Sequence, residues 1–251
     1  MRIYTYVPTT EGIFTCIYEA WASGLGHRNV KLVPEPVEQY SFFDEYVHVE
    51  PDEEKVEKVI RALQVKLNYH FYTEMCYASL SYEEDAGDTM YRVMILGFAY
   101  GPSVLESYRY APVVRLLEIR KKVTREVHMF REFMRFHSLE NGLLVAHFEP
   151  RSSVLVPVSW HFEERMPSET FIIVDDTHRM AFLHPKDGES ILRYLTDEEY
   201  ARLQEAEQAE DAFTRQWKIF FDAIAIKQRR NEKCQTNLFP KWMRKHVTEF
   251  M

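Results

Sequence analysis

The hydrophobic period of this chain changes partway along it, and that change limits the folds open to it more than any other feature. From Asp52, apolar residues recur every three or four positions at Val56, Ile60, Leu63, Leu67 and Phe71. Asp52, Glu53 and Glu54 sit in the first turn, where carboxylates favour the helix dipole. A second helix is expected over 86–100, stopping at Gly101-Pro102. A third is expected over 112–133, with Leu116, Ile119, Val123, Val127 and Phe130 as its apolar stripe. Beyond Arg131 the period falls: FMRFHSLENGLLVAHFEP alternates or runs apolar around Asn141-Gly142, the dipeptide most typical of a tight hairpin. Two further apolar runs, 170–174 and 180–183, flank the polar turn DDTHR as a second hairpin, with a helix expected between the hairpins over 154–166.

The N-terminal part adds a strand over 3–7 and a helix from near Thr10, with Ile13, Ile17 and Trp21 at four-residue spacing before Gly24 and Gly26. The segment 31–49, with Pro34 and Pro36, reads as an irregular connection, and a last long helix is expected over 197–226. The pattern predicts an α+β fold: an antiparallel sheet of about four to five strands, with the N-terminal strand as a candidate member, covered by several α-helices. A single domain over 1–251 is expected, divisible into a helical part 52–133 and a sheet and C-terminal helical part 134–251.

At 46% hydrophobic and 28% charged, the chain can bury a substantial core, and nothing in it suggests disorder. No basic leader precedes an apolar run, and no stretch approaches the roughly 20 apolar residues of a spanning helix. Cys16, Cys76 and Cys234 lie far apart without CxxC spacing, so no disulfide framework or cysteine-ligated metal is signalled, and a reducing cytoplasm is expected.

The net charge of −8 conceals an alternation. Residues 1–108 carry 8 basic and 17 acidic side chains, 109–135 carry 8 and 3, 136–214 carry 6 and 16, and 215–251 carry 9 and 3. An acidic protein is repelled by polyphosphate, so contact with nucleic acid would have to be local, through the two basic segments. Arg115, Lys122 and Arg125 fall on a face of the third helix away from its apolar stripe, with Arg131 and Arg135 following. The C-terminal segment joins Arg229, Arg230, Lys233, Lys241, Arg244 and Lys245 to the amides of Asn231 and Gln235 and the rings of Phe239 and Trp242. Cations neutralise phosphates, amides read base edges and exposed rings stack on unpaired bases. Solvated helix faces, core aromatics and a docking site for an acidic protein produce the same pattern.

No phosphate loop, dinucleotide fingerprint, HExxH or GxSxG motif is present, and no cofactor or metal site is expected. Glu126 with His128, and Glu149 with His161, are the candidate carboxylate–imidazole pairs for acid–base chemistry; a buried histidine satisfied by a carboxylate is the alternative.

The motifs TEGIFTCIYEAW, KKVTREVHMFREFMRF, LLVAHFEP, VSWHFEERM, FIIVDDTHRMAF and WKIFFDAIAIKQRRNEKCQTNLFPKW, in that order, resemble the bacterial "probable DNA metabolism protein" family, whose C-terminal portion is a domain of unknown function. The resemblance spans almost the whole chain. It falls on Glu126, His128, Phe130, Arg131, Phe133, Arg135 and Phe136, then on Glu149, Pro150, His161, Phe162 and Arg165. It continues on Asp175 and Arg179, and closes on Trp217, Phe221, Ile226, Arg229, Asn231, Gln235 and Pro240. The chain departs from the family pattern at Pro8-Thr9, Met129 and Arg151. The resemblance implies a DNA-repair or DNA-modification setting and DNA as a partner. It also implies a protein partner: a radical S-adenosylmethionine DNA modification or repair protein, or a uracil-DNA-glycosylase-type protein. The CxxxCxxC motif of radical enzymes is missing here, so any such chemistry is expected of the partner.

Three functional readings follow. The chain is an accessory protein that binds DNA beside such a partner, an enzyme acting on DNA through its histidines and glutamates, or an interaction module whose cations dock an acidic protein.

Overall fold

The computed structural model describes residues 1–139, 142–207, 212–224 and 231–250. The chain forms two compact units, 1–124 and 125–251, and the fold is α+β, with one sheet in each unit.

In the first unit β1 (Arg2–Tyr6) is the central strand of a three-stranded sheet, between β2 (Val30–Pro34) and β3 (Glu45–Val49). All three run parallel, with Tyr4 opposite both Leu32 and Val47. A parallel pair needs a crossover, and α1 (Thr10–Ala22) supplies it between β1 and β2. Thr9 starts that helix by accepting the Gly12 N–H at 3.0 Å. Two sequence expectations are corrected here. The N-terminal strand belongs to this separate parallel sheet, and 31–49 is not irregular throughout but carries β2 and β3. Pro34 misled because it closes an edge strand, where a missing N–H breaks no ladder.

The helical stripe beginning at Asp52 is also interrupted. It forms α2 (Glu53–Lys66) and α3 (Tyr69–Ser79), because Asn68 accepts the Phe71 N–H at 2.7 Å and starts a new helix. Next come α4 (Ala86–Tyr100), a 3₁₀ turn (Pro102–Glu106) and α5 (Ala111–Phe133), whose residues up to Thr124 belong to this unit. Tyr6, Phe14, Leu32, Leu63, Phe71, Met90 and Leu116 lie in the core between sheet and helices. Gly87 lets α4 pass directly against the Tyr6 ring, where a Cβ would stand 2.8 Å from Cζ.

The second unit takes α5 from Arg125 and continues with β4 (His137–Ser138), β5 (Leu144–Phe148), α6 (Leu155–Arg165), β6 (Phe171–Asp175), β7 (Met180–His184) and β8 (Ile191–Tyr194). The strand order is β4-β5-β6-β7-β8. The five strands match the expected number, but the sheet is mixed rather than antiparallel: β5 and β6 run parallel. The reason is α6, which packs on β6 and β7 and carries the chain back to restart in the same direction. Both expected hairpins form, with His137 opposite Val145 and Asp175 opposite Met180; Asn141 of the first turn lies outside the described residues. The expected final helix appears as α7 (Asp197–Glu207) and α8 (Ala212–Ile224), with 208–211 and 225–226 outside the described residues. A short α9 (Glu232–Leu238) and 3₁₀ turns at Lys241–Arg244 and Thr248–Phe250 close the unit. No helix among the described residues is long and apolar enough to cross a membrane.

Candidate functional site

Among the described residues of the second unit, a grouping of ionisable side chains forms where β5 and β6 end. Alternation along β5 puts His147 and, just past its end, Glu149 on one side of the strand. The β5–β6 ladder extends one residue beyond Asp175, through the Asp176 N–H to the Phe148 carbonyl at 3.0 Å. Asp176 therefore stands beside His147, with Nδ1 and Oδ1 3.0 Å apart and side-chain exposures of 0% and 2%.

The third member arrives from the chain's end. Phe239 stacks on Phe133 with centroids 4.1 Å apart, Trp242 meets Phe130 edge-on at 6.3 Å, and Met243 and Val247 are buried. These apolar anchors hold the intervening His246 so that its Nε2 lies 3.2 Å from Asp176 Oδ2 and 3.9 Å from Glu149 Oε1. Its ring lies over that of His147 at 5.9 Å. Glu149 is also paired with the Lys245 ammonium. One donor atom from each of Glu149, Asp176 and His246 falls within 4.8 Å of the others. On the α7 side, burial and the Asp176 carboxylate push the Tyr200 phenol up to about 12, and the Arg179 guanidinium covers its ring at 3.7 Å.

Neighbouring acids are committed to structure. Asp175 is 1% exposed, and its Oδ1 accepts the Thr177 and His178 N–H groups at 3.0 and 2.9 Å, closing the DDTHR turn. Asp175 Oδ2 meets His178 Nδ1 at 2.7 Å. Burial works against the charged imidazole, but Asp175, with Glu126 further away, more than offsets it, so the His178 pKa rises. Glu126, 6% exposed, accepts the backbone N–H groups of Arg151 and Ser152 and thereby fastens the β5–α6 connection to α5. Burial raises its carboxyl pKa against the pull of Ser152 and the Arg151 N–H.

The four residues singled out for acid–base chemistry do not pair as expected. His128 points away from Glu126 and pairs with Glu132 at 3.2 Å, its side chain 68% exposed. Positions two apart on a helix do not face each other. Glu149 meets Lys245 and His246 rather than His161. His161 sits on α6 against Phe162, its pKa lowered by burial and by Arg131 and Arg165. A Ser190–His184–Glu163 grouping has the composition of a hydrolytic triad but not its geometry. Ser190 Oγ donates to Glu163 at 2.5 Å while both groups approach the same nitrogen, His184 Nδ1. A triad needs the acid on the far nitrogen.

Most of the basic candidates have partners inside their own unit. In the first, Arg115 binds Glu83 and Asp85, and Lys122 binds Glu83. In the second, Arg125 donates to the Asn237 carbonyl at 2.7 Å and Arg131 to the Pro157 carbonyl. Arg135 binds Glu249, and Lys245 binds Glu149. Asn231 caps α9 by accepting the Cys234 N–H at 2.9 Å. Phe239 is buried and the Arg151 guanidinium covers the Trp242 ring at 4.5 Å, so these two rings are packing groups. Lys233 and Lys241 are exposed and, with Glu232, Gln235, Asn237 and Arg244, line a shallow depression of about 470 Å³; Arg244 also donates to the Phe239 carbonyl at 3.0 Å. Arg229 and Arg230 lie outside the described residues.

His147, Asp176 and His246 were not among the candidates read from sequence. The two-residue spacing of His147 and Glu149 on a strand is the signal that points to the first; nothing local marks the other two.

Fold and site define a two-unit α+β protein with a carboxylate–imidazole cluster at a sheet end and a small basic face beside its C-terminus. Residues 84–249 match the family described as a domain of unknown function, DUF4130, and the chain belongs to that family. No curated protein matches it.

Proposed function

We propose that this chain is a DNA-associated accessory protein that contacts DNA through its C-terminal face. In this reading it works in the cytoplasm beside a radical S-adenosylmethionine DNA modification or repair protein, or a glycosylase-type protein. The observation that carries the reading is the depression lined by Lys233, Gln235, Asn237, Lys241 and Arg244. It combines phosphate-binding cations with amides on a protein of net charge −8, whose α5 residues Arg115, Lys122 and Arg125 are engaged elsewhere. Arg229 and Arg230 adjoin it in sequence. The DNA-repair setting and the partner rest on the family resemblance, and the location on three free cysteines.

The test is fluorescence anisotropy with single-stranded and duplex oligonucleotides at two salt concentrations. Saturable, salt-weakened binding is expected. Lys233→Glu with Lys241→Glu should lower affinity about tenfold and reduce the salt slope by about 1 to 2. No saturable binding, or binding indifferent to the double substitution, removes this face from DNA recognition. Co-purification of an acidic protein that survives nuclease treatment would instead assign these cations to a protein partner.

A further inference from the structure

The geometry points to a divalent-cation site formed by Glu149, Asp176 and His246, distinct from the basic face and independent of DNA binding. Two carboxylates and one imidazole form a mixed oxygen and nitrogen donor set suited to Zn²⁺, Mn²⁺, Fe²⁺ or Co²⁺. Bonds near 2.1 Å to one ion put tetrahedral ligand atoms roughly 3.4 Å apart and octahedral neighbours roughly 3.0 Å apart. The separation of 3.2 Å between His246 Nε2 and Asp176 Oδ2 lies between these values. Glu149 Oε1 lies 3.9 Å from the same nitrogen and within 4.8 Å of the Asp176 oxygen, so its side chain has to swing inward by about 1 Å to share the ion, and its 35% exposure leaves it free to do so.

A second observation separates this arrangement from an ordinary cluster of acids. Asp176 is sealed from solvent, with 2% of its side chain exposed; its carboxylate accepts a hydrogen bond from the Tyr200 phenol, and its Oδ2 is directed at His246 with no donor in hydrogen-bond geometry among the described residues. Leaving a buried carboxylate oxygen without a donor is costly, and a metal ion satisfies it without one. The other oxygen of the same carboxylate is held by His147 Nδ1 at 3.0 Å, the type of outer contact that orients a ligating carboxylate. Without metal, the Lys245 ammonium supplies the positive charge at Glu149. An arriving cation displaces that ammonium to solvent, so the lysine and the metal compete for one carboxylate.

Titrating the full chain with Co²⁺ alone, followed by visible absorption and equilibrium dialysis, tests the assignment. One ion per chain is expected, with d–d bands and without the strong near-ultraviolet band of a cobalt–thiolate bond, which would betray the exposed Cys234. Affinity should fall on acidification, because protons compete with the ion for its ligand atoms. Glu149→Gln and Asp176→Asn should each lose the bound ion. Glu149→Gln is the more informative where the buried Asp176→Asn melts early. Lys245→Met should bind about tenfold more tightly, by removing one competing charge-assisted hydrogen bond. A wild-type chain that takes up no Co²⁺, or uptake unchanged in a folded Glu149→Gln, overturns the site; weaker binding in Lys245→Met overturns the competition.

Discussion

The Arg135 guanidinium holds the Glu249 carboxylate through Nε at 3.2 Å and a second contact through Nη2, and Glu249 keeps only 7% of its side chain exposed. A basic residue that sequence places on a phosphate-contacting surface therefore ties the end of α5 to the closing turn of the same unit. Removing the arginine strands a nearly buried carboxylate. Arg135→Ala should destabilise the chain by about 2 kcal/mol. DNA affinity at matched folding should stay unchanged; urea melts combined with anisotropy check both, and a lost affinity in a fully folded variant would return Arg135 to the DNA surface.

Glu126 and His128 should separate sharply under substitution. Glu126→Ala leaves the Arg151 and Ser152 N–H groups without their acceptor and should cost about 2 to 4 kcal/mol, for two lost charge-assisted bonds. His128→Gln replaces an exposed side chain paired within one helix turn and should fall within about 0.5 kcal/mol of wild type. Thermal melts of the two variants side by side decide between these expectations.

His178 gives the second unit a pH-dependent stability with a defined sign. Its pKa in the folded chain is raised, so the proton binds more tightly there than in the unfolded chain. The stabilisation is complete below the ordinary imidazole value of about 6.5 and is lost as pH rises through the raised folded value. Replacing His178 by Gln should flatten this part of the stability curve. Urea midpoints on either side of neutrality measure it, and an unchanged slope in the variant would remove His178 as its source.

Gly87→Ala should destabilise the first unit by about 1 to 3 kcal/mol, through overpacking against a ring that cannot move away. Tyr6 is 1% exposed, and the added methyl would overlap its hydroxyl end. Gly24, with φ 65° and open space around it, is sensitive to backbone conformation instead. Calorimetry of Gly87→Ala alone and with Tyr6→Phe tests the contact: partial rescue by the side chain that lacks the hydroxyl is expected, and equal destabilisation in both backgrounds would count against it.

Local pattern was enough for much of the architecture. The apolar stripe of α5, the stop at Gly101-Pro102 and the hairpin about DDTHR each depend on residues a few positions apart, and each stands where sequence places it. The break at Asn68 was also locally encoded, by a capping side chain lying inside an otherwise continuous stripe. Strand partnership was not. Nothing within β1 distinguishes a parallel neighbour at Leu32 from an antiparallel one elsewhere, because pairing joins segments whose separation the period does not record.

The same division runs through the candidate site. Sequence by itself determined the helical and alternating segments, the basic enrichment of 109–135 and 215–251, and Glu149 as a residue of interest. Only the tertiary structure decided that Glu149 meets His246 rather than His161, that Asp176 rather than Asp175 turns toward the cluster, and that Arg115 and Lys122 are engaged by acids. The physical reason is range. Helix and strand periods follow from backbone geometry over a few residues, whereas a charge or a ligand acquires its partner only when packing brings together segments far apart in the chain.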